Sequence, residues 1–230
     1  IAVIDYVMGN LRSVAKAIEH VADNAQVRTT DDPGYIAAAD RVVFPGQGAA
    51  RDCMAAISDH HLNQAVLEAA RNKPFLGVCM GLQVLMTHTE ENEGVDCMGL
   101  YPGEVRFFGK VLNRETTAAP LKIPHMGWNT TSAVRVDPLL AGLPDHPWFY
   151  FVHSYCAPIG ASTVATCEHG ERFAVVAEEV RKLAESTASA SRDIAALDIF
   201  RYFRNYHIFK HHCIPQCLKT LLNYLNWLYR

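Results

Sequence analysis

The sequence predicts an α/β fold in which a mostly parallel sheet is flanked by helices. Over the first 88 residues, short apolar runs alternate with segments of helical period, which is typical of parallel strands joined by helical crossovers. From Glu104 onward, apolar runs follow one another without long helical patterns between them, which favours added antiparallel strands. The length of 230 residues, half of them hydrophobic, is enough for one domain with a sizeable core.

The alternating region predicts three strands, each followed by a helix. The strands are expected at residues 1–5, 41–44 and 75–78, and the helices at residues 11–21, 62–71 and 82–86. The later strands are expected at residues 105–108, 148–152 and 163–166, where aromatic and β-branched residues are concentrated.

Charge and cysteine content exclude several classes of protein. The net charge of −3 gives no general attraction to nucleic acid or to an anionic membrane, and no apolar run reaches the roughly 18 residues that a spanning helix needs. The first residues form an apolar strand pattern with no basic segment of a signal peptide. We therefore expect a cytoplasmic protein whose seven scattered cysteines are reduced thiols.

The sharpest local motif surrounds Cys79. It lies in Gly77-Val78-Cys79-Met80-Gly81, directly after an apolar run and before a helical pattern. A nucleophile between glycines at a strand-to-helix turn is typical of an elbow, in which small neighbours permit a strained backbone. The adjacent helix N-terminus is expected to favour the thiolate. The alternative is a buried structural cysteine whose glycines only turn the chain.

A glycine-rich loop, Pro45-Gly46-Gln47-Gly48, follows the second predicted strand. Backbone N–H groups in such a loop can point toward a developing oxyanion. The competing use is phosphate binding, but neither dinucleotide-binding nor Walker glycine spacing is present. The oxyanion role is therefore preferred.

Five sequence blocks in order resemble one enzyme family. Together they are similar to the glutaminase subunit of imidazole glycerol phosphate synthase, a class I glutamine amidotransferase of histidine biosynthesis, over about three quarters of the chain. The blocks are Asp5-Tyr6 with Gly9 to Val14, Pro45 to Gly48, Leu76 to Gln83, Lys122 to Asn129, and Tyr150 to Tyr155.

The resemblance implies a class I glutamine amidotransferase fold and a role for each matching residue. Cys79 would be the nucleophile that forms a glutamyl thioester. Backbone groups of the Gly46 to Gly48 loop and of Met80 would stabilise the oxyanion. Gln83, Ser154 and Tyr155 would hold the amino-acid end of glutamine. No cofactor and no metal are implied.

The resemblance also implies a partner, a (β/α)₈ cyclase subunit that receives ammonia within a heterodimer. The residues expected to face this partner are Asn10, His125, Met126, Gly127, Trp128 and Asn129. Two of them have structural alternatives, since Asn10 precedes a helix that it could cap and Trp128 could be a buried strand aromatic. For His153, in the last block, a structural role is preferred to that of catalytic base.

The catalytic histidine and glutamate are missing. The family has His-Pro-Glu on a late strand, and this sequence contains no such triplet. His169-Gly170-Glu171 is interpreted as a turn between strands, and His88-Thr89-Glu90 as the surface end of the helix after the elbow. The catalytic base and its acidic partner are therefore unassigned.

The chain changes character near residue 177. Residues 173–197 resemble the signalling helix of bacterial chemoreceptors and carry a heptad pattern. We expect an amidotransferase domain at 1–177 and an atypical helical tail at 178–230, produced by a fusion, a frameshift or a misassembled gene. In the tail, His211-His212-Cys213 with Cys217 offers zinc ligands, but four ligands so bunched argue against a metal site.

Two functions of different classes remain open. The first is an active glutaminase that feeds ammonia to a cyclase. The second is a catalytically dead binding module that keeps the glutamine pocket and the partner surface. A coiled-coil signalling segment attached to a degenerate enzyme is a third reading, which draws only on residues 173–197.

Overall fold

The structure, a computed structural model, describes residues 1–22, 24–111, 122–137, 140 and 143–177. The first 79 residues build a parallel sheet with helical connections. Its strands, in spatial order, are β2 (Arg28–Thr30), β1 (Ala2–Ile4), β3 (Val42–Gly46) and β4 (Phe75–Cys79), and its helices are α1 (Leu11–Val21), α2 (Pro33–Ala38), α3 (Ala50–Asp59) and α4 (Asn63–Asn72). The predicted α/β class with a parallel sheet and helices is confirmed.

The two central strands of the parallel sheet, β1 and β3, are buried because they are apolar on both faces. Every residue of β1 is buried, as are the first four residues of β3, which is the pattern of a sheet covered by helices. The rings of Tyr6, Phe44 and Phe75 form a chain of tilted contacts through this core, with centroid distances of 5.2 and 5.9 Å. Phe44 lies in β3 and Phe75 is the first residue of β4, so the second contact joins two neighbouring strands of the sheet.

After β4 the chain forms a second sheet of mixed direction. A short helix, α5 (Met80–Gln83), leads into β5 (Met86–Thr89), a 3₁₀ turn (Glu91–Glu93), β6 (Val95–Asp96), β7 (Tyr101–Phe107) and α6 (Phe108–Val111). Strand β7 runs parallel to β5 and antiparallel to β10 (Tyr155–Cys156). This sheet attaches the later strands to the elbow region.

The third sheet is antiparallel, as the change of pattern after Glu104 predicts. Its order is β12 (Glu171–Ala177), β11 (Thr163–His169), β8 (His125–Ala133) and β9 (Trp148–His153). The turn between β11 and β12 is Gly170, with φ +74°. The interpretation of His169-Gly170-Glu171 as a turn is thus confirmed.

Three local predictions are wrong. Residues 173–177, predicted as the start of a long helix, belong to β12, because pairing with β11 stabilises them as a strand. The helix after the elbow is α5 alone, and Met86 already begins β5. His88 and Thr89 therefore lie in a strand, not at a helix end, and His88 pairs with Asp96 at 2.9 Å. The predicted helical tail at 178–230, with its histidines and two cysteines, lies outside the described residues.

Among the helices that the structure describes, none is both long and apolar enough to cross a membrane. All five cysteines of the described ranges are free thiols.

The inner face of the third sheet carries a histidine cluster, formed by His125, His153 and His169. The His125 ring stacks on His169 at a centroid distance of 4.1 Å, and the His125 and His153 nitrogens are 3.1 Å apart. Phe108 contacts all three rings edge-on, and Phe173 contacts the rings of His125 and His153. Burial, together with repulsion from His169 and His153, lowers the pKa of His125 to about 4, and burial lowers the pKa of His153.

This cluster predicts that acid destabilises the fold. Between pH 6.5 and 4 the unfolded chain binds a proton at His125 that the folded chain does not, so stability falls as pH falls through this window. His125 alone should cost about 2 kcal/mol of unfolding free energy by pH 5. Urea unfolding at pH 7.5 and 5 measures this, with the never-charged His125→Gln as control. An equally steep loss of stability in wild type and variant would contradict the assignment.

Candidate active site

Cys79 lies at the junction of β4 and α5 in a strained backbone conformation. Its φ of +55° and ψ of −113° place it in a region that residues with a side chain rarely adopt. Such strain is retained where surrounding structure enforces it, often at functional sites. The predicted strand-to-helix elbow is present.

The glycines of the motif are required by close packing. A Cβ on Gly81 would overlap the carbonyl oxygen of Phe44, and a Cβ on Gly77 would lie 2.6 Å from the carbonyl oxygen of Gly81. A Cβ on Gly46 would lie 2.9 Å from the Gly81 nitrogen. Because these contacts are with backbone atoms that cannot rotate away, glycine lets the elbow and β3 approach this closely.

The glycine-rich loop lies beside the cysteine. In the parallel pairing of β3 and β4, Gly46 stands opposite Cys79, and paired strands are roughly 5 Å apart. Gly48 has a φ of +93°, which glycine adopts without strain. The loop that was predicted to donate N–H groups and the predicted nucleophile therefore share one end of the parallel sheet.

Cys79 is an exposed residue, but the surroundings of its sulfur disfavour the thiolate. The residue is exposed, whereas Cys53, Cys156 and Cys167 are buried and Cys97 is intermediate. Burial of the sulfur by its surroundings raises the pKa of Cys79, a hydrogen bond from the Met80 backbone N–H lowers it, and the charge of Glu91 raises it. The lowering of the pKa by the Met80 N–H, at the start of α5, is smaller than the raising by burial.

Glu91 is a site residue that the sequence patterns did not indicate. Its carboxylate accepts a 2.8 Å hydrogen bond from the backbone N–H of Ala50, at the start of α3. Its charge also acts on Cys79 and on Cys53. The sequence does not distinguish Glu91 from other acidic residues that follow a strand. Its place near the elbow becomes evident only from its contact with Ala50 and its effect on the pKa of Cys79.

The residues predicted to bind glutamine come from two places in the fold. Met80 and Gln83 begin and end α5, directly after Cys79. Ser154 and Tyr155 lie where the chain passes from β9 in the third sheet to β10 in the second. The Ser154 carbonyl accepts a hydrogen bond from the Phe108 N–H at 3.0 Å, and Tyr155 packs against the main core.

Of the residues predicted to face a partner, some are exposed and one, His125, is buried. Asn10 is exposed and caps α1 by accepting a hydrogen bond from the Ser13 N–H at 3.3 Å. In β8, Met126 is 61% exposed whereas His125 is only 5% exposed, because neighbouring strand residues point to opposite faces. His125 therefore belongs to the inner histidine cluster, and it does not lie on the exposed face of β8.

Trp128 and Tyr150 form the centre of an exposed apolar surface, hereafter the outer face. They are paired across β8 and β9, with their rings 5.4 Å apart in edge-on contact. The other members, on the same side of these two strands, are Met126, Trp148 and Val152. Met126 and Trp128 lie within the segment predicted to face a partner. The β9 members lie outside it, because exposed and inward residues alternate along an aromatic run that does not itself indicate which face each residue takes.

The part of the chain that the structure describes identifies no catalytic base for Cys79. Among the described residues, Met80 and Glu91 are the groups whose interactions shift the pKa of Cys79, and no histidine is one of them. Within the same ranges, no cluster of three His, Cys, Asp or Glu residues could hold a metal ion. The candidate ligands His211 to Cys217 lie outside these ranges.

Comparison with known proteins identifies related sequences. The family model described as "Glutamine amidotransferase class-I" matches residues 2–186. The chain is 50% identical over 187 residues to the imidazole glycerol phosphate synthase subunit HisH of Pseudomonas putida, covering 76% of this chain and 87% of that protein. It is 44% identical over 211 residues to the subunit of the same name from Hydrogenovibrio crunogenus, covering 90% of this chain and 96% of that protein.

Solved structures show the same fold at low sequence identity. A crystal structure of a glutamine amidotransferase superposes with a TM-score of 0.52 at 10% identity, covering 79% of this chain and 92% of that one. A putative GMP synthase component from Thermoplasma acidophilum gives a TM-score of 0.50 at 11% identity, covering 99% and 92%. The fold match supports the architecture described above.

Proposed function

Since the chain belongs to the class I glutamine amidotransferase family, we propose that it is the glutaminase subunit of an imidazole glycerol phosphate synthase of histidine biosynthesis. In this role it hydrolyses glutamine to glutamate and ammonia and passes the ammonia to a cyclase subunit. The observation that carries the proposal is the strained, exposed Cys79 opposite the Gly46 to Gly48 loop. The HisH relatives support this assignment.

The chemistry begins with the Cys79 sulfur attacking the amide carbon of glutamine. The developing oxyanion accepts hydrogen bonds from backbone N–H groups of the Gly46 to Gly48 loop and Met80, which cost no reorganisation because the backbone is already held by close packing. Ammonia leaves with one added proton, and water then hydrolyses the glutamyl thioester to glutamate. The thiol therefore has to give up a proton, and the leaving group has to receive one.

Binding of the amino-acid end of glutamine is assigned to residues from two parts of the fold. Gln83, Ser154 and Tyr155 supply polar groups from α5 and from the passage between β9 and β10. Glu91 supplies a carboxylate whose charge reaches Cys79, and it suits the substrate ammonium. A bound ammonium would also offset the effect by which Glu91 raises the pKa of Cys79.

The partner is assigned to the outer face, with Asn10 as a further contact. An exposed surface built on tryptophan and tyrosine is typical of the centre of a protein interface. Its occupant in this proposal is the (β/α)₈ cyclase subunit, which forms a heterodimer with this chain in the cytoplasm.

Two observations favour a second function, that of a catalytically dead binding module. The sequence has no His-Pro-Glu, and burial raises the pKa of Cys79. Such a chain would bind glutamine and the cyclase without releasing ammonia at a useful rate. The two functions share the fold, the pocket and the partner surface, and they differ only in proton transfer.

Complex formation tests the proposed partnership under both functions. The full chain, mixed with a cyclase from a HisH-containing synthase, should elute as a 1:1 complex in size-exclusion chromatography with light scattering. The outer face and Asn10 lie within the described residues, so binding should not depend on the tail. A folded sample that elutes separately from the cyclase at micromolar concentration would contradict the assignment.

A further inference from the structure

A line of hydrogen bonds crosses the inner face of the third sheet and ends at the glutamine-binding segment. The Asn129 side-chain nitrogen lies 3.3 Å from His125 Nε2, His125 Nδ1 lies 3.1 Å from His153 Nε2, and His153 Nδ1 lies 2.8 Å from the Tyr155 carbonyl oxygen. We call these four residues the histidine relay. His125 and His153 are not used by the chemistry described above.

The Tyr155 carbonyl, the acceptor at the end of the relay, determines the direction of every hydrogen bond in it. A carbonyl oxygen can only accept, so His153 Nδ1 carries a hydrogen and donates to Tyr155. In a neutral ring the other nitrogen is then an acceptor, so His125 Nδ1 donates to His153 Nε2. His125 Nε2 is left as an acceptor for the Asn129 amide, which also donates to the Glu168 carbonyl at 2.8 Å. Both rings are satisfied as neutral tautomers.

The relay ends where the chain changes sheets. His153 is the last residue of β9 in the third sheet, Ser154 is a bend, and Tyr155 begins β10 in the second sheet. The His153 side chain spans this passage by bonding to the carbonyl two residues ahead. The Phe108 N–H donates to the Ser154 carbonyl at 3.0 Å. Two successive peptide groups are thus held, Ser154–Tyr155 by the Phe108 backbone and Tyr155–Cys156 by the His153 side chain.

We propose that His125 and His153 are positioning residues, which hold the Ser154-Tyr155 segment in the geometry that binds the amino-acid end of glutamine. The inference rests on the proposed function for the identity of the ligand. Neither ring is among the groups that shift the pKa of Cys79, and their role is to fix the passage between the two sheets. Ordering a binding segment in advance improves affinity because the ligand no longer has to order it.

The test measures ligand affinity without requiring turnover. The full chain is treated with 6-diazo-5-oxo-L-norleucine, a glutamine-like electrophile, and the saturation of Cys79 labelling gives the half-saturating concentration and the maximal rate. His153→Phe keeps an aromatic ring but loses the donor to Tyr155. Its half-saturating concentration should rise roughly ten-fold, the scale of one hydrogen bond, with the maximal rate changed less than two-fold.

Two further variants separate positioning from general stability. His153→Gln keeps an amide donor and an acceptor and should restore most of the affinity. His169→Phe changes a ring of the same cluster that donates to the Lys122 carbonyl outside the relay, and it should leave the half-saturating concentration unchanged. Labelling by iodoacetamide, which has no amino-acid end, should be the same for all chains.

Different outcomes would contradict the positioning role and the proposed glutaminase function. An unchanged half-saturating concentration in His153→Phe, or an equal rise in His169→Phe, would overturn the positioning role. Absence of saturable Cys79 labelling in the wild-type chain would overturn the proposed function itself.

Discussion

Ammonia release by this chain, in complex with a cyclase and its nucleotide ligand, should be on the order of 10² to 10⁴ times slower than release by a repaired chain. The repaired chain has the residues after Ala177 replaced by a family-type ending that contains His-Pro-Glu. Cys79→Ala in both backgrounds measures the residual rate. Ammonia is followed by a coupled dehydrogenase assay at saturating glutamine.

The physical reason is proton transfer. Burial raises the pKa of Cys79, which disfavours the thiolate, and ammonia cannot leave without a proton. Backbone N–H groups near Cys79 can stabilise an oxyanion but cannot move a proton to the leaving nitrogen. After Asp198 the sequence has no acidic residue to orient His207, His211 or His212. Equal rates from the two chains would show that this chain has another base.

A charge on the outer face should disrupt binding of the cyclase. Tyr150 is 48% exposed and packs edge-on against Trp128. Tyr150→Asp would place a carboxylate in the centre of the proposed interface, where it would lose its water without gaining a partner. The dissociation constant, measured by isothermal titration calorimetry, should rise on the order of 10²-fold.

Two controls accompany this variant. Ile159→Asp adds the same charge at an apolar residue that is 50% exposed. Ile159 lies two residues beyond Ala157, which pairs with β12, and β12 and β9 are the opposite edges of the third sheet. Tyr150→Phe keeps the ring contact. Both should bind within about three-fold of wild type. Equal weakening by Tyr150→Asp and Ile159→Asp would show that net charge, not the outer face, governs binding.

Periodicity and glycine placement predicted the part of the fold that depends on local sequence. The amphipathic segment at residues 11–21 is α1, and the runs at 41–44 and 75–78 overlap β3 and β4. The glycines around Cys79 predicted the elbow, and the structure gives the reason for them, since a Cβ at position 77 or 81 has no space. These signals are strong because each is decided within a few residues.

Features that depend on pairing between distant strands could not be read from the sequence. His125 and Met126 were predicted to face the partner together, but the register of β8 against β9 turns them to opposite faces. Residues 173–177 fit a heptad pattern, yet Phe173 pairs with Cys167 in the β11–β12 hairpin. Glu91 approaches Cys79 only through the turn after β5.

The central claim is that Cys79 is the nucleophile of a glutamine site, and site-specific labelling tests it most directly. The full chain is treated with 6-diazo-5-oxo-L-norleucine, with and without excess glutamine, and its peptides are mapped by mass spectrometry. The elbow and the exposed thiol predict modification at Cys79 ahead of the other six cysteines, and protection by glutamine. Preferential modification of Cys213 or Cys217, or labelling of Cys79 that glutamine does not slow, would contradict the account.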